Sequence, residues 1–140
     1  MIDQSIVFVF ASIIIVATIL FALICFTKRI GKKIDVEKYR AKCLEIEHQL
    51  KADDPNSYQI CVLNADKLLD QALRDLGIKG KTMGERLKNS VSMYSDRNGI
   101  WTAHKRINVI AHEAGAVVSY QQSKQALVNF RQALKDLGAI

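Results

Sequence analysis

Residues 6–26, IVFVFASIIIVATILFALICF, carry no charge, no Pro and no Gly, and fifteen of the twenty-one are Ile, Val, Leu or Phe. As a helix the run is ~31 Å long, against a bilayer hydrocarbon core of ~30 Å. Each central Ile, Val, Leu or Phe favours insertion by roughly 0.3–0.6 kcal/mol, so the fifteen together supply roughly 5–8 kcal/mol. Ten of the residues are β-branched, a bias toward strand in water. In lipid a lone strand leaves its backbone groups unpaired, so helix is the only spanning form open to this segment. The run therefore predicts a transmembrane helix within residues 1–27.

Orientation follows from the flanks. Lys28, Arg29, Lys32 and Lys33 follow the run, whereas Met1–Ser5 holds one acid and no side-chain cation. The positive-inside bias then places a short N-terminal tail outside and the rest in the cytoplasm, at the inner membrane of the cell. A cleaved signal peptide fits badly, since its cations would precede the apolar run and no A-x-A site ends it. The four cations also meet anionic lipid head groups, at ~1 kcal/mol per cation near the surface. The lipid bilayer is thus the first expected partner.

The net charge of +6 is unevenly spread: residues 1–27 carry −1, residues 28–33 carry +4 and the remainder +3. The soluble part is only mildly basic, which does not by itself indicate a nucleic-acid partner. Cys25, Cys43 and Cys61 form no CxxC and have no neighbouring His, which argues against a zinc site or a disulfide framework. Neither metal nor cofactor is expected. Cys25 lies at the inner end of the span, where acylation is conceivable.

Beyond the membrane the chain reads as helices and short loops. Residues 28–52 are a basic juxtamembrane segment and an amphipathic helix over 34–52, with Tyr39, Cys43, Ile46 and Leu50 on one stripe. Packing on its own domain is the preferred reading of that helix; a coiled-coil stalk needs more heptads than it has. Asp54-Pro55 breaks the chain before a helix over about 57–76, whose core stripe runs from Tyr58 to Leu76, with Gly77 as C-cap. Asp66 and Asp70 read as groups on the wet face or at loop caps, with Arg74 facing Asp70 at i, i+4. Thr82/Glu85 and Ser119/Gln122 have capping-box spacing. A short helix is expected to about 91–93, another over 100–113, and a last one over 120–137 with Ala126, Leu127, Phe130, Ala133 and Leu134 inward. Residues 53–140 thus form a helical bundle, and the fold class is all-α: one N-terminal transmembrane helix plus a cytoplasmic bundle of four to five helices.

One stretch carries chemistry. His104, Asn108 and His112 lie at i, i+4, i+8 on one helical row, beside an apolar row of Ala103, Ile107 and Ile110. The plainer reading is that these polar groups hydrogen-bond within the bundle and fix its register, because unpartnered they would cost a few kcal/mol. The sharper one makes His112 a general acid/base for attack by a ribose 2′-OH, with Arg106 on the scissile phosphate. Trp101 reads as a core anchor and His48 as solvated.

The run from Ala52 onward resembles an uncharacterised bacterial family of helical-bundle proteins, often membrane-anchored. The resemblance rests on Asp54-Pro55, Ala65-Asp66-Lys67-Leu68-Leu69-Asp70, Thr82-Met83-Gly84-Glu85-Arg86-Leu87, and Ala103-His104-Lys105 followed by Asn108 and Ile110-Ala111-His112-Glu113. The Arg106/His112 spacing is also similar to the Arg-x4–6-His signature of HEPN domains, helical and often dimeric bundles that include metal-independent ribonucleases. The resemblance implies His112, Arg106 and Asn108 as catalytic residues and RNA as substrate. The chain departs from the pattern where Arg is expected, at Ile107. Arg106 and His112 lie ~120° apart around the helix and ~9 Å along it. Catalysis therefore stands as the alternative to a non-enzymatic interaction or scaffold module that binds itself or another protein.

Overall fold

The computed structural model describes residues 4–27, 34–113 and 115–140, with residues 25–27 as helix backbone alone. Lys28, Arg29, Lys32 and Lys33, and the Cys25 side chain, lie outside the described residues. The described chain is helical, with no strand: α1 (Gln4–Thr27), α2 (Val36–Gln49), α3 (Pro55–Asp75), α4 (Met83–Asn89), a 3-10 turn (Val91–Met93), α5 (Arg97–His112) and α6 (Tyr120–Asp136). It divides into two compact units, Met1–Gly31 and Lys32–Ile140.

In the first unit, α1 is long and apolar enough over Gln4–Ile24 to cross a membrane. Its described side chains are all exposed. Ser12 and Thr18 donate their hydroxyls to the carbonyls of Val9 and Ile15, at 2.7 and 2.8 Å, which removes their polar cost on an apolar helix.

The second unit is built around α3, which packs against α2, α4, α5 and α6, while α5 packs on α6. The apolar stripes decide this arrangement. Tyr39, Cys43 and Ile46 of α2 are buried, as are Cys61, Val62, Ala65, Leu68, Leu69, Ala72 and Leu73 of α3. Facing them are Ile100, Ala103 and Ile107 of α5 and the Ala126–Leu134 stripe of α6. Leu87 and Tyr94 belong to the same buried core. The helix over 34–52 is thus part of the bundle core, two to three residues shorter at each end than its periodicity suggests.

Polar side chains set the helix ends. Asp35, Asp54, Thr82, Asp96 and Ser119 each accept from a backbone N–H in the first turn of the helix that follows, worth ~1 kcal/mol apiece. Pro55 opens α3 instead of preceding it. At the first helical position its missing N–H has no partner to lose, so the helix begins two residues earlier than expected. Asp96 likewise draws Arg97–Gly99 into α5, where a loop was expected. Ser119 and Gln122 form both bonds of a capping box. At Thr82 only half of one forms, because Glu85 turns to the Lys81 N–H at 2.6 Å. Gly77, at φ +76, ends α3. Its N–H bonds the Arg74 carbonyl and that of Ile78 the Leu73 carbonyl, both at 2.9 Å, a full Schellman closure.

Tyr39 ties α2 to α3 through its hydroxyl, which donates to Asp75 at 2.7 Å. Burial, that hydrogen bond and the Asp75 charge all push the phenol pKa up. A phenol raised in the fold leaves stability intact below the unfolded-chain value of ~10 and erodes it as pH rises further. We expect the urea midpoint to fall between pH 9 and pH 11, conditions of roughly one unit either side of that value. Tyr39→Phe should shallow the slope, as followed by Trp101 fluorescence.

Candidate functional site

Three segments far apart in the chain meet on one side of α3. Asp66 and Asp70 sit one turn apart on that helix, and neither is a wet-face residue as periodicity suggests. The Asp66 side chain is 13% exposed and receives His104 Nδ1 of α5 at 3.0 Å. Asp70 is 17% exposed and receives Arg86 of α4, whose side chain is 5% exposed. The reason lies in the partners: α4 and α5 bring their cationic and imidazole groups to this face, and a carboxylate sheltered with a partner is tolerated where a lone one is not.

Asp70 is bonded from both flanks. Arg86 Nε and Nη2 approach its Oδ1 at 2.6 Å, and Arg74 Nε donates to Oδ2 at 2.9 Å. The i, i+4 pairing of Asp70 with Arg74 is therefore present, but as the outer half of a two-arginine clamp. Arg86 also donates Nη1 to the Gly80 carbonyl at 2.5 Å, fixing the loop between α3 and α4. Gly80 has no room for a side chain, since a Cβ there would lie 2.8 Å from the Arg86 backbone nitrogen. Gly80→Ala should therefore cost about 1–3 kcal/mol by displacing this loop, measurable as a lowered urea midpoint.

An ionised carboxylate only accepts, so the Asp66 bond fixes the proton of His104 on Nδ1. Nε2 faces the first turn of α4, where a Cβ on Gly84 would stand 3.6 Å away. The Trp101 indole meets the His104 ring edge-on, with centroids 6.1 Å apart. Trp101 is half-buried against the core, as an anchor residue should be. A carboxylate holding an imidazole is the arrangement that orients a general base. No Ser or Cys side chain completes it within hydrogen-bond reach among the described residues. Chemically the cluster is a clamp that joins α3, α4 and α5.

The row His104, Asn108, His112 divides. His104 is buried in that pair, whereas Asn108 and His112 are exposed. Arg106 is half-buried and lines a groove of about 320 Å³ with Lys105, Val109, Val117, Val118 and Gln122. His112 is not among the residues lining it, so Arg106 and His112 do not open onto one cleft within a single chain. No group of three or more His, Cys, Asp or Glu able to hold a metal occurs among the described residues. Cys43 and Cys61 are free, buried thiols whose pKa values burial raises. His48 is exposed.

Sequence reading missed the roles of Asp66, Asp70 and Arg86. The signal was present in part. The segments Ala65–Asp70, Thr82–Leu87 and Ala103–Lys105, singled out one by one, are the three that converge here. No family model, curated protein or solved structure matches the chain.

Proposed function

We propose that the chain is a single-pass membrane-anchored protein whose helical bundle works as a non-enzymatic interaction module, binding a second copy or another protein at the cytoplasmic face of the inner membrane. The observation that carries this reading is the use made of the sheltered ionisable groups. Asp66, His104, Asp70 and Arg86 are committed to one another, in pairs at 2.6–3.0 Å, and are left to hold helices together. The exposed, uncharged and predominantly apolar α1 supports the anchor, and Lys28, Arg29, Lys32 and Lys33 support the inward orientation through contact with anionic head groups.

Alkaline carbonate should leave the protein in the membrane pellet, and protease added to inside-out vesicles should digest the bundle. Release by carbonate, or protection in such vesicles, would overturn the anchor or its direction. Cross-linking in cells should capture a protein neighbour of the bundle; a chain that captures none is not an interaction module.

A second reading is favoured by the exposure of His112 and Asn108, which leaves them open to a partner copy. It is a membrane-tethered, HEPN-like, metal-independent ribonuclease with His112 as acid/base and Arg106 on the phosphate. It requires EDTA-insensitive RNA cleavage by the full chain that His112→Ala abolishes; uncleaved RNA across several substrates would sink it.

A further inference from the structure

We infer that the groove between the end of α5 and the start of α6 takes an extended acidic segment of a partner protein, added edge-on to residues 116–119, an assignment that rests on the reading of the bundle as an interaction module. Residues 116–119 are neither helix nor turn. Both ends of the stretch are pinned. The Ala116 carbonyl accepts from Gln59 Nε2 at 2.7 Å, and the Ser119 N–H donates to Gln122 Oε1 at 3.1 Å. Between the pins, the backbone N–H and C=O groups of Val117 and Val118 make no hydrogen bond among the described residues. A short non-helical stretch held at both ends and open in the middle is preorganised to pair its unbonded backbone groups with an incoming extended segment.

The side chains select what would pair there. Val118 is buried and roots the stretch, whereas Val117 is 89% exposed and Val109 is 43% exposed. Lys105 and Arg106 line the same groove, and neither is ion-paired among the described residues. An added strand with acids on one face and aliphatic side chains on the other meets both the cations and the valines. Single-stranded nucleic acid fits less well, because no aromatic side chain lines the groove to stack a base.

The test uses the full chain in phosphatidylcholine nanodiscs, titrated against a fluorescein-labelled, acetylated hexapeptide alternating valine and glutamate. Binding should weaken at least about tenfold in Lys105→Glu/Arg106→Glu and in Val117→Asp. Val128→Asp, at an exposed position of α6 outside this groove, should leave it unchanged. Unaltered thermal unfolding of each variant shows that the loss is local. Equal binding of a valine–lysine hexapeptide, or indifference to the charge reversals, would overturn the assignment. So would an oligouridylate that displaces the acidic peptide through the same two cations. A partner cross-linked in cells equally by wild type and by Lys105→Glu/Arg106→Glu would overturn the groove while leaving the interaction module standing.

Discussion

Asp70→Ala is expected to destabilise the bundle by about 3–5 kcal/mol, and to do so more than Arg86→Ala, although both break the same ion pair. The asymmetry follows from what each deletion leaves behind. Without Arg86, the Asp70 carboxylate keeps Arg74 at 2.9 Å, on a side chain 62% exposed to water. Without Asp70, the guanidinium of Arg86 stays sheltered at 5% exposure with the Gly80 carbonyl as its remaining partner. An uncompensated charge in the interior is the costlier remnant. A domain of this size has roughly 5–15 kcal/mol of total stability, so the larger deletion would remove a large share. Urea unfolding of the full chain, followed by fluorescence of Trp101, reports the bundle, because Trp101 is the only tryptophan. A double-mutant cycle should return a coupling between Asp70 and Arg86 of roughly 0.5–3 kcal/mol. Independent, additive losses would show that the clamp does not hold α4 to α3. Replacing both partners with apolar residues of similar volume, Asp70→Leu/Arg86→Met, should recover much of the loss, since then no charge is stranded.

Phe130→Ala is the other large effect, at about 3–5 kcal/mol. Phe130 is 1% exposed, on the α6 stripe that packs against α3 and α5. Truncation removes the ring from the core and leaves a cavity that the close-packed interior only partly fills. Phe130→Leu keeps most of the volume and should cost less than half as much. Val128 lies on the same helix but is 53% exposed, so Val128→Ala should stay within about 0.5 kcal/mol. Thermal unfolding of the three variants side by side checks the ranking; similar losses at 128 and 130 would mean that α6 is not seated as described.

The buried stripes of α2, α3, α5 and α6 were legible because helical periodicity is a local property. Tyr39, Cys43 and Ile46 stand on one side of a 3.6-residue repeat whatever packs on them. These helix ends were legible for the same reason: Gly77 takes a positive φ to close α3, and Ser119 finds the N–H of Gln122 within the first turn of α6. Local chemistry also explains the misplaced starts. Asp54 and Asp96 cap from positions that, by composition, look like loop, and each adds residues to the helix it opens.

Periodicity could not show what lay across from Asp66 and Asp70. A carboxylate at the margin of an apolar stripe reads the same whether water or an arginine faces it. Asp70 meets Arg86 sixteen positions later, and Asp66 meets His104 thirty-eight positions later. Those pairings depend on how the α3–α4 loop folds back. The polar row of α5 shows the same division: helical spacing put His104, Asn108 and His112 in line, but the position of α3 buries the first and leaves the others in solvent.

Hydropathy and the helical repeat alone therefore settled an apolar N-terminal helix followed by amphipathic ones, because each depends on residues a few steps apart. Which charged groups hold the bundle together, and which remain open to a partner, was decided only when helices distant in sequence came together. The worth of a charge depends on the dielectric and the counter-charge around it, and neither exists until the chain has folded.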